Sequence, residues 1–166
     1  LAVTQVTIKM HTQDQTLFQY CPKLVLFSAD KSAVLLARRK GEADYDGVFS
    51  FVGGKVERSD GGLLEGMRRE KIEEIGAAAK VKVCWTASCF TVWFEKKDGN
   101  VLIASHHVAL YESGDIELNP GEYDEYAWVP LVDLEKFQPK IANIPEVVQA
   151  AQRLLSVLSD DDFSEI

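Results

Sequence analysis

Apolar and polar positions recur with two different periods along this chain, and the changes of period mark out its elements. Residues 2–10, AVTQVTIKM, alternate loosely and are rich in β-branched types, which predicts a first strand. Polar residues 11–15 predict a turn after it. Two apolar runs, at residues 24–29 and 33–38, are separated by Asp30, Lys31 and Ser32 and predict a hairpin. A polar loop over 40–46 leads into a short strand at 47–52. Residues 80–95 form one extended run containing Trp85, Phe90, Trp93 and Phe94. Asp98-Gly99 then signals a hairpin turn, with the return strand over 101–112. Residues 126–131, YAWVPL, predict the final strand, and 132–137 a short helix.

Helical periodicity appears twice. From about residue 63 a helix is expected that places Leu64, Ile72 and Ile75 on a core side and the glutamates on the other, with Gly76 as its stop. The second helix is expected over 143–158, capped by Asn143 and carrying Pro145 in its first turn. Its stripe of Val147, Val148, Ala151, Leu154, Leu155 and Leu158 is core. Residues 159–166 are acidic and expected to fray.

At 166 residues and 46% hydrophobic content, the chain can bury one proper core and is too short to favour two. Residues 1–158 are expected to form a single domain and 159–166 an acidic tail. A formal charge of −8 argues against general binding to DNA or RNA, whose phosphates select basic surfaces. It leaves room for a small phosphorylated ligand. No apolar run approaches the roughly 18 residues of a membrane span. Cys21, Cys84 and Cys89 form neither a CxxC pair nor a disulfide framework, which predicts free thiols in a reducing, cytoplasmic setting.

The candidate chemistry lies between Gly53 and Gly76. On a helix, Glu70, Glu73 and Glu74 stand at i, i+3 and i+4 and project from one face. Like charges at that spacing repel, so the group calls for a partner, most simply a hard divalent cation such as Mg²⁺, with Mn²⁺ as the alternative. The competing reading is an acidic amphipathic helix whose charges face water. Gly53 and Gly54 read as a bend or a close approach to a ligand. Arg69 reaches Glu73 at i+4. His106 and His107 are adjacent on a strand, so one is expected packed and the other solvated.

The segment GGKVERSDGGLLEGMRREKIEEIG resembles the Nudix box, G-x5-E-x7-R-E-U-x-E-E-x-G-U with U aliphatic. Gly54, Arg69, Glu70, Glu73, Glu74, Gly76 and Ala77 hold family positions. The segment is one residue longer than the pattern, so Asp60 is the acid that stands in for the first box glutamate. Lys71 replaces an aliphatic residue, and Ile72 is expected to supply the apolar contact while Lys71 snorkels.

The resemblance to the MutT-like Nudix hydrolases implies an α/β sandwich, a mixed sheet between helices. It implies a pyrophosphohydrolase that opens a phosphoanhydride in a nucleoside diphosphate linked to another moiety. Metal would be held by Glu70, Glu73, Glu74 and a carbonyl of the glycine pair at Gly54, and Arg69 and Asp60 would orient the box. Glu70, Glu73 and Glu122 are the acids proposed for catalysis; Glu122 stands six residues before Trp128, where family members often place an extra acid. Arg38 and Arg39 are candidates for the distal phosphate, against a plain surface role for each, and Tyr45, Phe49, Phe51 and Trp93 are candidates to stack on a base, against the core role more usual for aromatic residues on strands. The partner implied is a small nucleotide-type substrate, and a homodimer is compatible with it. The alternative is a Nudix-fold nucleotide-binding or regulatory module with impaired turnover, motivated by the displaced Asp60 and by Lys71.

Overall fold

The computed structural model of the protein describes residues 18–166, so the strand expected at 2–10 and the turn at 11–15 lie outside the described residues. The hairpin forms as expected between β1 (Phe18–Phe27) and β2 (Ala33–Arg39). Its turn is stapled by the Asp30 carboxylate, which accepts from the Ser28 hydroxyl at 2.6 Å and the Ser32 backbone N–H at 3.1 Å. The first strand begins well upstream of its apolar run. It does so because it lies parallel to β6 (Val101–Ser113), in register from Phe18↔Val101 to Phe27↔Leu110, and a partner edge satisfies backbone groups whatever the side chains are.

The opposite edge of β6 explains a difference from the expected run at 80–95. That run is two strands, β4 (Lys80–Val83) and β5 (Phe90–Glu95), and both pair antiparallel with β6. Its first half takes β5 and its far end takes β4. Residues 84–89 bridge the two, with the Cys84 and Cys89 N–H groups donating to the carbonyls of Val108 and His106. The short strand before the glycine pair, β3, is only Phe49–Ser50. After the return strand, β7 (Tyr123–Pro130) pairs with β2.

The result is a mixed eight-stranded sheet with a helix against each face. Central strands are apolar on both sides, as burial on two faces demands. Val25, Phe27, Val34 and Leu36 meet α2 (Ile144–Leu155) through Val147, Val148 and Ala151. Leu24, Leu26, Leu35 and Ala37 meet α1 (Leu63–Ile75) through Met67 and Ile75. The α2 stripe is therefore core, as its periodicity requires. Pro145 sits in its first turn, but the Asn143 side chain makes no capping bond. The helix expected at 132–137 is a short 3₁₀ turn, Leu131–Asp133.

The C-terminal residues do not fray. Ser159 and Asp162 form a reciprocal capping box over the 3₁₀ turn Asp160–Asp162. The chain then adds an edge strand, β8 (Ser164–Glu165), antiparallel to β4. Phe163 and Ile166 pack on opposite core layers, and the Ile166 N–H donates to the Val81 carbonyl at 3.0 Å. Acidity alone had predicted solvation; two apolar anchors flanking the strand decide otherwise. Among the described residues no helix is long and apolar enough to cross a membrane. Cys21 and Cys84 are buried, Cys89 is half-buried, and all three are free.

Deleting residues 160–166 strips β4 of a partner and uncovers both layers, so unfolding should become easier by about 2 kcal/mol. A urea denaturation midpoint unchanged by the truncation would contradict this.

Candidate functional site

Past β3, the chain is pressed against β1. The Leu24 N–H donates to the Val52 carbonyl at 2.9 Å and the Val56 N–H to the Tyr20 carbonyl at 3.0 Å. Between them Gly53 adopts φ 116°, and a Cβ there would stand 2.4 Å from the Pro22 carbonyl oxygen. Only glycine serves at that point. At Gly54 a Cβ would lie 1.9 Å from Glu70 Oε2. The missing side chain is what lets the Glu70 carboxylate rest on the backbone of the bend.

The helix α1 is rotated differently from the expected placement. Its inward stripe is Met67, Lys71, Glu74 and Ile75, while Ile72 is 43% exposed. Ile72 therefore does not replace the family's aliphatic contact. Lys71 does so itself, with its stem buried and its ammonium donating to the Ala79 carbonyl at 2.9 Å. Burial first, then the neighbouring Lys80 and Arg68 charges, lower its pKa.

The three glutamates span about 100° of helical arc, and that arc runs from core to solvent. Glu74 is fully buried, the Glu70 side chain is 13% exposed and that of Glu73 is 50% exposed. They share a helical face, as expected, but their carboxylates do not meet. Glu74 turns inward, where its two oxygens accept from the Gly53 N–H and, at 2.8 Å, from the Tyr123 hydroxyl.

Arg69 holds the other two. Its guanidinium donates to Glu70 at 2.9 Å, to Glu73 at 3.0 Å and to the Lys55 carbonyl at 2.9 Å. Two further N–H groups grip Asp60, at 2.8 and 3.0 Å, in a bidentate pair. Asp60 also accepts the Glu57 N–H at 2.8 Å. The extra residue in the segment does not keep Asp60 away: the loop absorbs it, and the carboxylate reaches Arg69 across nine positions. Arg69, first among its causes, and the Glu57 N–H hold the Asp60 carboxyl down to about 2.

Glu122 enters from the loop between β6 and β7. That loop is tied to the end of α1, where the Glu117 N–H caps the Ile75 carbonyl and the Asn119 N–H caps that of Glu74, both at 3.0 Å. Asn119 also donates from its side chain to Glu122 at 3.1 Å. Burial, then the Glu74 charge, raises the Glu122 pKa. Glu70 is likewise raised, by burial first, with Glu74 and Glu73 adding to it against Arg69. The acids thus feel one another without converging.

Two participants escaped the sequence reading. Tyr123, buried at the start of β7, donates to Glu74. Lys23, on β1 just before the apolar run, donates its ammonium to the Gly53 carbonyl. A lysine inside a buried strand was the available signal.

Arg38 and Arg39 part company. Arg38 pairs with Asp124 at 2.7 Å and Glu125 at 2.9 Å. Arg39 pairs with Glu42, and its guanidinium carbon lies 5.8 Å from the centre of the Tyr123 ring, beside the site. His106 and His107 are both buried rather than divided between core and solvent. His107 is satisfied by Ser105 at 3.0 Å and the Cys84 carbonyl at 3.3 Å, and His106 by the Phe90 carbonyl at 3.3 Å. Burial lowers the His106 pKa to about 4, so its ring is neutral at pH 7. Of the aromatic candidates, Phe49 and Phe51 are core, whereas Tyr45 and Trp93 are exposed. An open groove of 630 Å³ runs beside the loop after Gly54, lined by Phe18, Tyr20, Lys55, Arg58 and Leu63.

Carboxylate and carbonyl oxygens are the right donors for a hard cation. As arranged, they do not fit one. Among the described residues no three acidic, histidine or cysteine side chains converge as a cage. Several donors are engaged already: both oxygens of Glu74 by Gly53 and Tyr123, one oxygen each of Glu70 and Glu73 by Arg69, and the Gly53 carbonyl by Lys23.

A mixed sheet between two helices, with a diglycine bend feeding an acid-bearing helix, defines an α/β/α sandwich of the Nudix architecture. The family model described as NUDIX domain matches residues 23–151, and the chain belongs to the Nudix hydrolase superfamily, which acts on phosphoanhydride-type substrates. Solved structures agree on the fold. A MutT protein from Methanosarcina mazei Go1 is 22% identical, with a TM-score of 0.67 over 85% of this chain and 97% of that one. The NUDIX domain of Shewanella oneidensis NrtR, complexed with ADP ribose, is 18% identical, with a TM-score of 0.67 over 89% and 94%. A C. elegans Ap4A hydrolase is 17% identical, with a TM-score of 0.65 over 84% and 99%. Comparison with curated proteins found no match.

Tyr123→Phe leaves one oxygen of a buried carboxylate without its donor and should cost about 1–3 kcal/mol, measured by urea denaturation. For Asp60, the folded pKa of about 2 lies below the ordinary 3.8, so its pairing stabilises the fold above about pH 4 and that stability is lost as pH falls through 2. Asp60→Asn should flatten the fall in thermal midpoint between pH 4 and pH 2. An acid limb as steep as that of the unsubstituted protein would sink the assignment.

Proposed function

We propose that this chain recognises a nucleoside diphosphate linked to another moiety and that, in the arrangement described, it serves as a binding or regulatory module with impaired turnover. The observation that carries the reading is that, among the described residues, the box acids do not converge on a common point and bond instead to the protein's own groups, Glu74 to Gly53 and Tyr123 and Glu70 and Glu73 to Arg69. The groove beside Gly54 supports recognition: Phe18 and Tyr20 offer ring faces, and Lys55 and Arg58 offer charge to a phosphate. The ADP ribose held by the Shewanella domain is a ligand of this chemical class.

Metal-dependent hydrolysis by Glu70, Glu73, Glu74 and Glu122 is the second reading, and one observation favours it. Glu70 and Glu122 both have raised pKa values in a partly dry, acid-rich setting, which makes each a better proton acceptor than a solvated glutamate. A bound Mg²⁺ would supply charge neutralisation and a more acidic water. Neutralising Glu74 would also affect the fold, because its burial against the Gly53 N–H and the Tyr123 hydroxyl makes it a structural anchor as well.

Nucleoside triphosphates, nucleotide sugars, dinucleoside polyphosphates and coenzyme derivatives, each offered with Mg²⁺, separate the readings. Binding to at least one of them, seen by calorimetry, with no mononucleotide released, is the expected result. Magnesium-dependent release of a mononucleotide would replace the module with a hydrolase. In that event Glu122→Gln should slow release by about 10²-fold or more if the loop supplies the base, and an unchanged rate would return that role to Glu70.

A further inference from the structure

Lys23 is a charged side chain on a strand that is otherwise buried from Cys21 to Phe27. Its surroundings explain why it stays. Pro22, its neighbour, presents the carbonyl that forbids any side chain at Gly53, so the bend cannot retreat from β1. The Gly53 carbonyl is thereby delivered to the Lys23 ammonium. The same glycine donates its N–H to Glu74. One residue is held from both sides, by a cation at its acceptor and an anion at its donor.

The charges around Lys23 are those of the site. In register beside it on β6 stands His106, whose ring is neutral and further discouraged from protonation by the Lys23 charge. From the loop before β7 comes Glu122, whose carboxyl is eased downward by Arg39 and Lys23 against the larger effect of its burial. Across the bend lies Glu74, bonded to the Gly53 N–H. The ammonium therefore sits on the acceptor side of the residue whose donor side is bonded to Glu74, on a part-buried tether that cannot diffuse away.

We propose that the Lys23 ammonium is the resident cation of this site, occupying the Gly53 carbonyl so that a nucleoside diphosphate binds without a divalent ion. The inference rests on the binding-module reading and gives it a cause. A small ion such as Mg²⁺ demands near-octahedral oxygen ligation, and here it would have to expel a tethered charge from the carbonyl. Lysine carries three donors on a flexible stem, so a diphosphate oxygen can share its ammonium with Gly53.

The test uses the full chain with two probes, Mn²⁺ alone, followed by the electron paramagnetic resonance signal of the free ion, and ADP in excess EDTA, followed by calorimetry. Lys23→Met should bind Mn²⁺ more tightly by about tenfold or more, and ADP in EDTA more weakly by at least about tenfold. Lys23→Arg, which keeps the charge, should retain ADP binding. Should Lys23→Met fail to fold, Lys23→Gln carries the same test, since it keeps an N–H donor for the Gly53 carbonyl without the charge. Mn²⁺ affinity that is equal or weaker in the uncharged variant overturns the inference, as does ADP binding in EDTA that is indifferent to the change. Turnover by the unsubstituted protein would instead sink the module reading, and that outcome is read separately from the Mn²⁺ comparison.

Discussion

A single buried carboxylate holds the site together. Glu74 brings a charge into the layer between sheet and helix, where an unpaired anion would cost several kcal/mol or more. Its two partners, the Gly53 N–H and the Tyr123 hydroxyl, come from the bend after β3 and the start of β7, which lie 21 and 49 positions away. Satisfying that one group therefore fixes the helix, the bend and the last loop against one another. The capping of the Glu74 and Ile75 carbonyls by Asn119 and Glu117 repeats the tie through the backbone. Position after position around the site is constrained by the need to keep one anion bonded.

From this anchor the rest of the charge distribution follows. With Glu74 turned inward, helix geometry puts Glu70 at the rim and Glu73 in solvent, and the pair must find a counter-charge elsewhere. Arg69 provides it and at the same time clamps Asp60, so one guanidinium gathers the loop and the helix. At the bend, Lys23 performs the corresponding service for the Gly53 carbonyl. Asp60, Glu70 and Glu73 thus set their charge against a cation belonging to the chain, and Glu74 sets its own against neutral donors. That balance bears directly on whether the site acts through a foreign ion.

The candidate site was legible in part, and the reasons are specific. Spacing alone placed Glu70, Glu73 and Glu74 on one face, and Arg69 within reach of Glu73, because helical periodicity is local. The same periodicity misassigned Ile72 to the core: hydrophobicity favoured it, but the sheet accepted Lys71 and Glu74 because each had a bonding partner across the layer. Tyr123 stayed hidden beside Glu122, and Lys23 beside an apolar run, since each matters only through a contact distant in sequence. His106 and His107 alternate across the strand as expected. Both are nevertheless buried, because β6 is covered on its two faces.

The amino-acid order by itself determined the two helices, the hairpin, the glycine bend and the Nudix box, all of which depend on periodicities and turn residues acting over a few positions. Only the tertiary structure decided which strands share β6, that the acidic C-terminal residues close the sheet edge, and how the box is charge-balanced. Pairing edges and counter-ions are chosen by what folding brings near, and no local pattern encodes that neighbourhood. Three glutamates within little more than one helical turn fix an arc; whether the arc faces a cation, a guanidinium or the core depends on how the helix is rolled against the sheet.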